Sequence, residues 1–293
     1  MSEQSVARKY RKRSRAGEVW HRLKKNKGAM IGLAIVVLLI ITAIASGFVL
    51  DYETQIITQS AKDRLQSPSA AHLMGTDQYG RDIFYRLLYG SRFSLSVGFV
   101  AVVVALLIGV PLGAVAGYFG GAVEDTIMRI TDIFAAVPNI LMGIVLVSAL
   151  GPNAINLMLA VGITSVPQFV RVTRASVLTV RNQEYVEAAR AVGISEAKII
   201  FTHILPNCLS PIIVQTTLRI ASAIIAASSL SFLGLGVPVP APEWGAMLSE
   251  GRDFIRGYGY MTLFPGLAIM ITVLAFNMVG DGLRDALDPK LKK

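Results

Sequence analysis

The chain is poor in charge, in histidine and above all in cysteine. Only 16% of its 293 residues are charged, against about a quarter in soluble domains. A single cysteine, Cys208, excludes an intrachain disulfide, and three scattered histidines with that one cysteine make no metal site. No Gly-x-x-x-x-Gly-Lys-Ser/Thr loop occurs, so the chain has no phosphate cradle for hydrolysing nucleotide. A nucleophile elbow and a His-Glu-x-x-His helix are also missing. With no catalytic constellation, the chain moves, anchors or senses something.

What it has in quantity is apolar length. Hydrophobic residues make up 53% of the sequence, and several runs approach the roughly 20 residues that cross a bilayer as helix. Lipid cannot satisfy backbone polar groups, so a spanning segment is a helix or part of a closed barrel. These runs are too long and too continuously apolar for barrel strands. The expectation is an all-α membrane protein with six transmembrane helices, at about 29–50, 93–118, 127–150, 153–175, 212–236 and 261–281. Ala43-Ile44-Ala45 resembles a signal-peptidase site. The long charged lead and the apolar run from Ala29 to Leu50 instead fit an uncleaved first span.

Net charge is +9, and ten of the 28 Lys and Arg precede residue 28. No nucleic-acid-reading module follows them, so they read as a topology signal that places the N-terminus in the cytoplasm. Alternation then puts 51–92 outside, 176–211 inside and the C-terminus inside, with most remaining basic residues on inner segments. The expected organisation is a basic tail at 1–28, a first span at 29–50, an extracytoplasmic segment at 51–92, a five-helix core at 93–283 containing an inner loop at 176–211, and a tail at 284–293.

Within the spans, Gly109, Gly113 and Gly117 recur at four-residue spacing, which lets helix backbones approach closely. Static packing is the simpler account, a moving contact the other. Pro111 is expected to kink that helix. The run Ala221–Ser229 suits either close packing or the lining of a path. Arg129 and Asp132 share a helix face near the inner end, and Arg219 lies about two turns into the fifth span. No chain of buried acids or histidines crosses the spans, which weakens a proton-coupled mechanism. Two outer stretches look more ordered than connectors. One is Gly75-Thr76-Asp77-Gln78-Tyr79-Gly80-Arg81-Asp82. The other is Phe232–Gly236 with Pro238, Pro240 and Pro242, expected to stop the fifth helix, and Trp244, expected in the interfacial aromatic belt.

The inner loop is the most informative segment. Connections in helical folds usually run about 2–8 residues, and this one is several times longer with its own helical pattern. Residues 182–192 favour helix, with Val186, Ala189 and Val192 as a weakly apolar side. Gly193 ends that helix and Ser195 is placed to cap a second, whose apolar residues are Ile199, Ile200, Ile204 and Leu205. Pro206 is expected to break it before the fifth span. Two short helices meeting at a glycine make a knob that fits either a partner's groove or the lipid surface.

Glu187-Ala188-Ala189, then Gly193, then His203-Ile204-Leu205-Pro206 resembles the EAA loop of bacterial ABC-importer permeases. His203 departs from the aliphatic residue of the general pattern. Gly75–Asp82, Ser231–Gly236, Trp244-Gly245 and the closing Asn277–Pro289 extend the likeness to nearly the whole chain from about residue 20. Together they resemble the C-type permease subunit of dipeptide, oligopeptide and nickel importers. The resemblance implies a type I importer permease (MetI-like) fold and a non-catalytic membrane subunit of the bacterial inner membrane. It implies a second, related permease as heterodimer partner, an extracytoplasmic solute-binding protein, and two cytoplasmic ATPase subunits. ATP and Mg would be bound by the ATPases, with no cofactor on this chain. Carried over by position, Glu184, Glu187, Ala188, Ala189, Arg190, Gly193, Leu205 and Pro206 would form the ATPase-coupling element. Gly75, Thr76, Asp77, Gly80, Arg81, Asp82 and Trp244 would belong to the outer region facing the binding protein. Nucleotide would then shift the chain between two packings. Short peptides are the first substrate expectation, with glutathione-like peptides, nickel and metal chelates open. A stand-alone secondary transporter or channel, or a membrane scaffold, are the readings of another class. The first of these would show internal repeats and intramembrane ion sites, and neither is evident.

Overall fold

The computed structural model describes residues 15–288, and among them every regular element is a helix, with one isolated β-bridge between Thr76 and Asp82. The first half of the expected basic tail, residues 1–14, therefore falls outside the described residues. Its last part forms α1 (Arg15–Leu23), which the sequence reading did not anticipate. Val19 and Leu23 of α1 pack on Ala29, Leu283 and Ala286.

Asn26 starts α2 (Lys27–Val49) by accepting the Ala29 N–H at 3.1 Å. A capping segment follows, with a π-turn at Tyr52–Ile57 and a 3-10 turn at Ala61–Asp63. Asp82 then caps α3 (Ile83–Phe119), whose 37 residues begin ten before the expected span and run unbroken through Pro111. The expected third span, 127–150, is not one helix. It is α4 (Gly121–Ala136) and α5 (Asn139–Leu150), set at 90° to each other. Pro138 is the cause: it forces Val137 out of helical geometry, to ψ 130°. Next come α6 (Ala154–Val180), α7 (Glu184–Ala191), α8 (Glu196–Ile199) and, through a π-turn at Ile200–Ile204, α9 (Leu205–Phe232). The chain ends in α10 (Trp244–Gly251) and α11 (Tyr260–Leu287). Five helices are long and apolar enough to cross a membrane, or six if α4 and α5 form one broken span.

The core lies where α3, α6 and α9 meet, around Val97, Ala101, Leu157, Phe169, Ile224 and Leu230. The glycine ladder of α3 faces α6. A Cβ built on Gly109 would stand 2.6 Å from the Phe169 Cβ, on Gly113 2.5 Å from the Val170 carbonyl oxygen, and on Gly117 2.8 Å from the Val177 Cβ. The ladder therefore lies at a close approach of the two helix backbones, a geometry common to both accounts. The small-residue run of α9 divides: Ala221, Ala223 and Ala227 are buried in the core, whereas Ser222 and Ile225 are exposed.

Candidate functional site

Two ends of the bundle carry structure beyond the spans. At one end sit α7 and α8, beside the C-termini of α3, α6 and α11. At the other, the 51–82 segment and α10 cover the N-termini of α3 and α11.

The α7 end is a helical knob on an apolar socket. Val186 and Ala189 of α7 are buried with Ile199, Ile200, Ile204, Cys208 and Ile212 against Ala114, Tyr118 and Val177. Val192 was expected on this apolar side but is 77% exposed, because the helix ends at Ala191 and the chain has already begun to turn. Gly193 makes the turn at φ +78°, with the Ile194 N–H donating back to the Ala189 carbonyl at 3.2 Å. Ser195 occupies the cap position of α8 but its side chain makes no cap hydrogen bond.

Pro206 does not break the chain here, contrary to the sequence expectation. Glu196–Phe232 is one continuous apolar path. The π-turn just before Pro206, with the Leu205 N–H on the Ile200 carbonyl, shifts the hydrogen-bond register, and Pro206 falls in the first turn of α9, where its missing N–H costs little. A helix carrying the second half of the knob therefore runs directly into the membrane-length α9. Force applied to the knob has a stiff element to travel along.

Polar bonds lock the knob in orientation. Arg190 donates to the Tyr118 hydroxyl at 3.0 Å and lies over its ring at 5.5 Å, and Tyr118 in turn hydrogen-bonds Glu196. Asn207 donates to the Tyr185 hydroxyl at 3.2 Å. Arg190 is thus committed to its own chain. The face pointing away consists of Glu184, Glu187, Ala188, Ala191 and Val192, all exposed. His203 is half-buried in the π-turn, and its ring has no hydrogen-bond partner among the described residues. Farther along α6, Arg171 pairs with Asp132 at 2.8 Å and Arg174 with Glu124, tying α4 to α6. Arg129, expected to share a face with Asp132, is exposed and does not pair with it.

The opposite end is a cap held by buried ions. The Asp77 carboxylate accepts from the Tyr79 N–H at 2.8 Å, the Arg81 N–H at 3.0 Å and the Arg81 Nε at 2.5 Å. Glu250 of α10 accepts from Arg81 at 2.7 Å and from Arg86 at 3.0 Å. Arg86 completes its donors on the Pro240 and Ile56 carbonyls. Thr76, buried, bonds Asp63 and Gln66, and Asp82 holds His72 at 2.9 Å. Gly75 and Gly80 leave room for the Gln66 and Ser60 carbonyls. The Gly75–Asp82 motif therefore turns Thr76, Asp77 and Arg81 inward, and the segment's exposed surface comes from residues such as Leu73 and Tyr79.

Trp244 corrects an expectation outright. It is 1% exposed, packed with Ile83, Met247 and Met261, and its Nε1 donates to the Leu87 carbonyl at 3.0 Å. The pull of the core outweighs the interfacial preference. Gly234, at φ +82°, ends α9, with the Leu235 N–H on the Leu230 carbonyl. The prolines expected to stop the helix come only later. Glu243 was not singled out from sequence. Buried almost completely, it caps α10 through the Gly245 and Ala246 N–H groups, and burial raises its carboxyl above the usual range against the pull of those bonds. Arg86 and Glu250 were missed as well. Their signal was one ionisable residue in each of two otherwise apolar stretches, but 164 residues separate them.

The fold and these two ends define a polytopic helical membrane protein, and comparison with known proteins makes it a permease subunit. Residues 109–293 match the family described as "Binding-protein-dependent transport system inner membrane component", and residues 14–68 match the "N-terminal TM domain of oligopeptide transport permease C". The chain belongs to this family of ABC-importer permeases. It is a non-catalytic, multi-pass component of the inner membrane, working with ATPase and binding-protein partners.

The chain is 50% identical over 275 residues to the dipeptide transport system permease protein DppC of Alkalihalophilus pseudofirmus, covering 94% of this chain and 90% of that one. It is 47% identical over 283 residues to the DppC of Escherichia coli, with 94% and 93% covered. It is 45% identical over 276 residues to the glutathione transport system permease protein GsiD of Pectobacterium atrosepticum, with 94% and 91% covered. In fold it resembles a chain of the inward-facing MetNI methionine ABC transporter, at TM-score 0.58 and 18% identity, covering 70% of this chain and 98% of that one.

Proposed function

We propose that this chain is the C-type permease subunit of an importer of short peptides. The observation that carries the reading is the 42–50% identity, over 94% of the chain, to permeases named for dipeptides. The 45% identical glutathione permease is named for another short peptide. The chain spans the membrane six times, α4 and α5 together forming one broken span, with the α7 end and both termini in the cytoplasm. A second, related permease completes the pathway, two ATPase subunits bind below and a binding protein docks above on the cap. Glu184, Glu187, Ala188, Ala191 and Val192 form the surface that enters an ATPase groove. Val186, Ala189, Arg190, Gly193, Leu205 and Pro206 hold that surface in place and connect it to α9.

Closure of the ATPases draws this surface inward, and the socket around Ile199 and Ile204 passes the displacement to α3, α6 and α9. Glu187→Lys reverses one charge on the exposed surface without touching the socket. In the complete transporter reconstituted in proteoliposomes, dipeptide uptake per ATP hydrolysed falls at least tenfold, while the chain still reaches the membrane. Unchanged uptake per ATP overturns the coupling assignment. No dipeptide uptake by the wild type overturns the peptide reading.

A further inference from the structure

The turn between α7 and α8 does little to fix the angle between them. Gly193 makes it at φ +78°, and a Cβ built there would meet nothing within 4 Å, so the turn is unpacked. Ser195 gives α8 no side-chain cap. Val186, Ala189 and Ile199 anchor both helices in the apolar socket. Apolar burial is non-directional, though, and holds a helix down without setting its orientation. The orientation needs a directional tie.

One buried side chain supplies it. Tyr118 stands one residue before the end of α3, and its hydroxyl reaches both helices of the knob. It accepts from the Arg190 Nη2, in the last turn of α7, at 3.0 Å and donates to the Glu196 carboxylate, in the first turn of α8. A phenol has one proton to give and lone pairs to receive with, and here both capacities are used on opposite charges. Arg190 also lies over the Tyr118 ring. Without the hydroxyl, Arg190 and Glu196 face each other at 3.9 Å with side chains 51% and 48% exposed, a pair that contributes little. Among the described residues, the other side-chain hydrogen bond of α7 joins Tyr185 to Asn207 of α9. The polar tie from the knob to α3 therefore passes through Tyr118. At the same end, Arg181 donates to the Gly117 carbonyl at 2.9 Å and binds α3 to the end of α6.

We propose that Tyr118 is a positioning residue for coupling: its hydroxyl makes α7 and α8 one rigid body on the end of α3. The inference rests on the coupling assignment above and adds to the route along α9 a second route into α3. With the hydroxyl in place, displacement of the Glu187 surface is carried to α3 and, through the close approach at Gly113 and Gly117, to α6. Without it, the same displacement is absorbed as a bend at Gly193. The socket stays filled in both cases, so the loss falls on transmission and not on folding.

The test uses the complete transporter in proteoliposomes and reads dipeptide uptake per ATP hydrolysed. A merely structural role lowers yield and thermal midpoint but leaves this ratio unchanged in the complexes that survive. Tyr118→Phe removes one oxygen and keeps the ring, and is expected to lower the ratio at least fivefold. Glu196→Gln keeps an acceptor for the hydroxyl and is expected to stay within twofold of wild type, whereas Glu196→Ala falls at least threefold. Tyr118→Phe combined with Glu196→Ala falls no further than Tyr118→Phe alone, since both remove the same bond. An unchanged ratio in Tyr118→Phe overturns the proposal, and so does a double variant whose loss is the product of the two single losses. Loss of the ATPases from the purified Tyr118→Phe complex also overturns it, because the hydroxyl then serves assembly. Glu187→Lys separates the two readings. If it leaves the ratio unchanged, the coupling assignment and this inference fall together. If Glu187→Lys lowers the ratio and Tyr118→Phe does not, this inference falls alone.

Discussion

Replacing Glu250 by alanine will unseat the cap. Glu250 is the shared acceptor of two buried arginines, taking Arg81 at 2.7 Å and Arg86 at 3.0 Å, and both guanidinium groups are 1% exposed. The cluster is balanced as built, with Asp77 and Glu250 against Arg81 and Arg86. Removing Glu250 leaves two buried cations facing each other with one carboxylate between them. Arg86 then keeps only the Pro240 and Ile56 carbonyls and a 3.7 Å approach to Asp77. Breaking a buried pair by deleting one partner typically costs about 3–5 kcal/mol, because the remaining charge has no water to return to. A shift in the thermal unfolding midpoint on the order of 10 °C follows for a chain of this size. The 51–82 segment should also become open to proteolysis while the spanning helices stay resistant. The control is Arg252→Ala, at an exposed pair with Asp253 whose side chains are 52% and 77% exposed. That pair contributes about 0–1 kcal/mol, so its loss should leave both readouts near wild type. If Glu250→Ala melts and digests as Arg252→Ala does, the cluster does not hold the cap.

This cluster also marks the limit of what the sequence made legible. The spans were readable because apolar length is a local property, and so was the glycine ladder, whose spacing is visible within nine residues. Gly193 was readable because a helix end needs a positive φ at that position. The misses have different physical origins. Pro138 divides α4 from α5 through its effect on Val137, and hydropathy averaged across the break hides a 90° bend. The helix survives at Pro206 because a π-turn precedes it, and no propensity scale foresees that turn. Trp244 reads as an interfacial residue by type, yet the cavity beside Ile83 and Met261 claims it. Arg86 and Glu250 take their meaning from each other across 164 residues, which no window contains. At the α7 end the pattern revealed a knob. The pattern also marked Val186 and Ala189 as its apolar side, and the structure moves Val192 from that side to the open one, beside Glu187 and Ala188.

Enlarging Gly113 will be the most damaging single change in the spanning region. A Cβ there would stand 2.5 Å from the Val170 carbonyl oxygen and 2.8 Å from the Thr173 Cβ. The nearest obstacle is backbone, which cannot turn aside as a side chain can. The only relief is for α3 and α6 to move apart. They form the most extensive helix pair in the fold and carry much of the core between them, including Ala101, Ala105, Leu157, Ala160 and Phe169. In a bilayer no hydrophobic force compensates for lost contact between helices, so close packing is the main thing that holds them. Gly113→Leu should therefore cost at or above the upper end of the roughly 1–3 kcal/mol of an overpacked core, and the protein should aggregate on size-exclusion chromatography in mild detergent. Gly113→Ala should already lower the thermal midpoint. Gly266 in α11 supplies the contrast: a Cβ there meets nothing nearer than the Leu248 Cδ2 at 3.8 Å. Since alanine is favoured over glycine in a helix by about 1 kcal/mol, Gly266→Ala should match or exceed wild-type stability. Opposite signs for one substitution at two glycines of spanning helices would show that helix separation sets the outcome. Equal midpoints for Gly113→Ala, Gly266→Ala and wild type would mean that α3 and α6 do not pack at this distance.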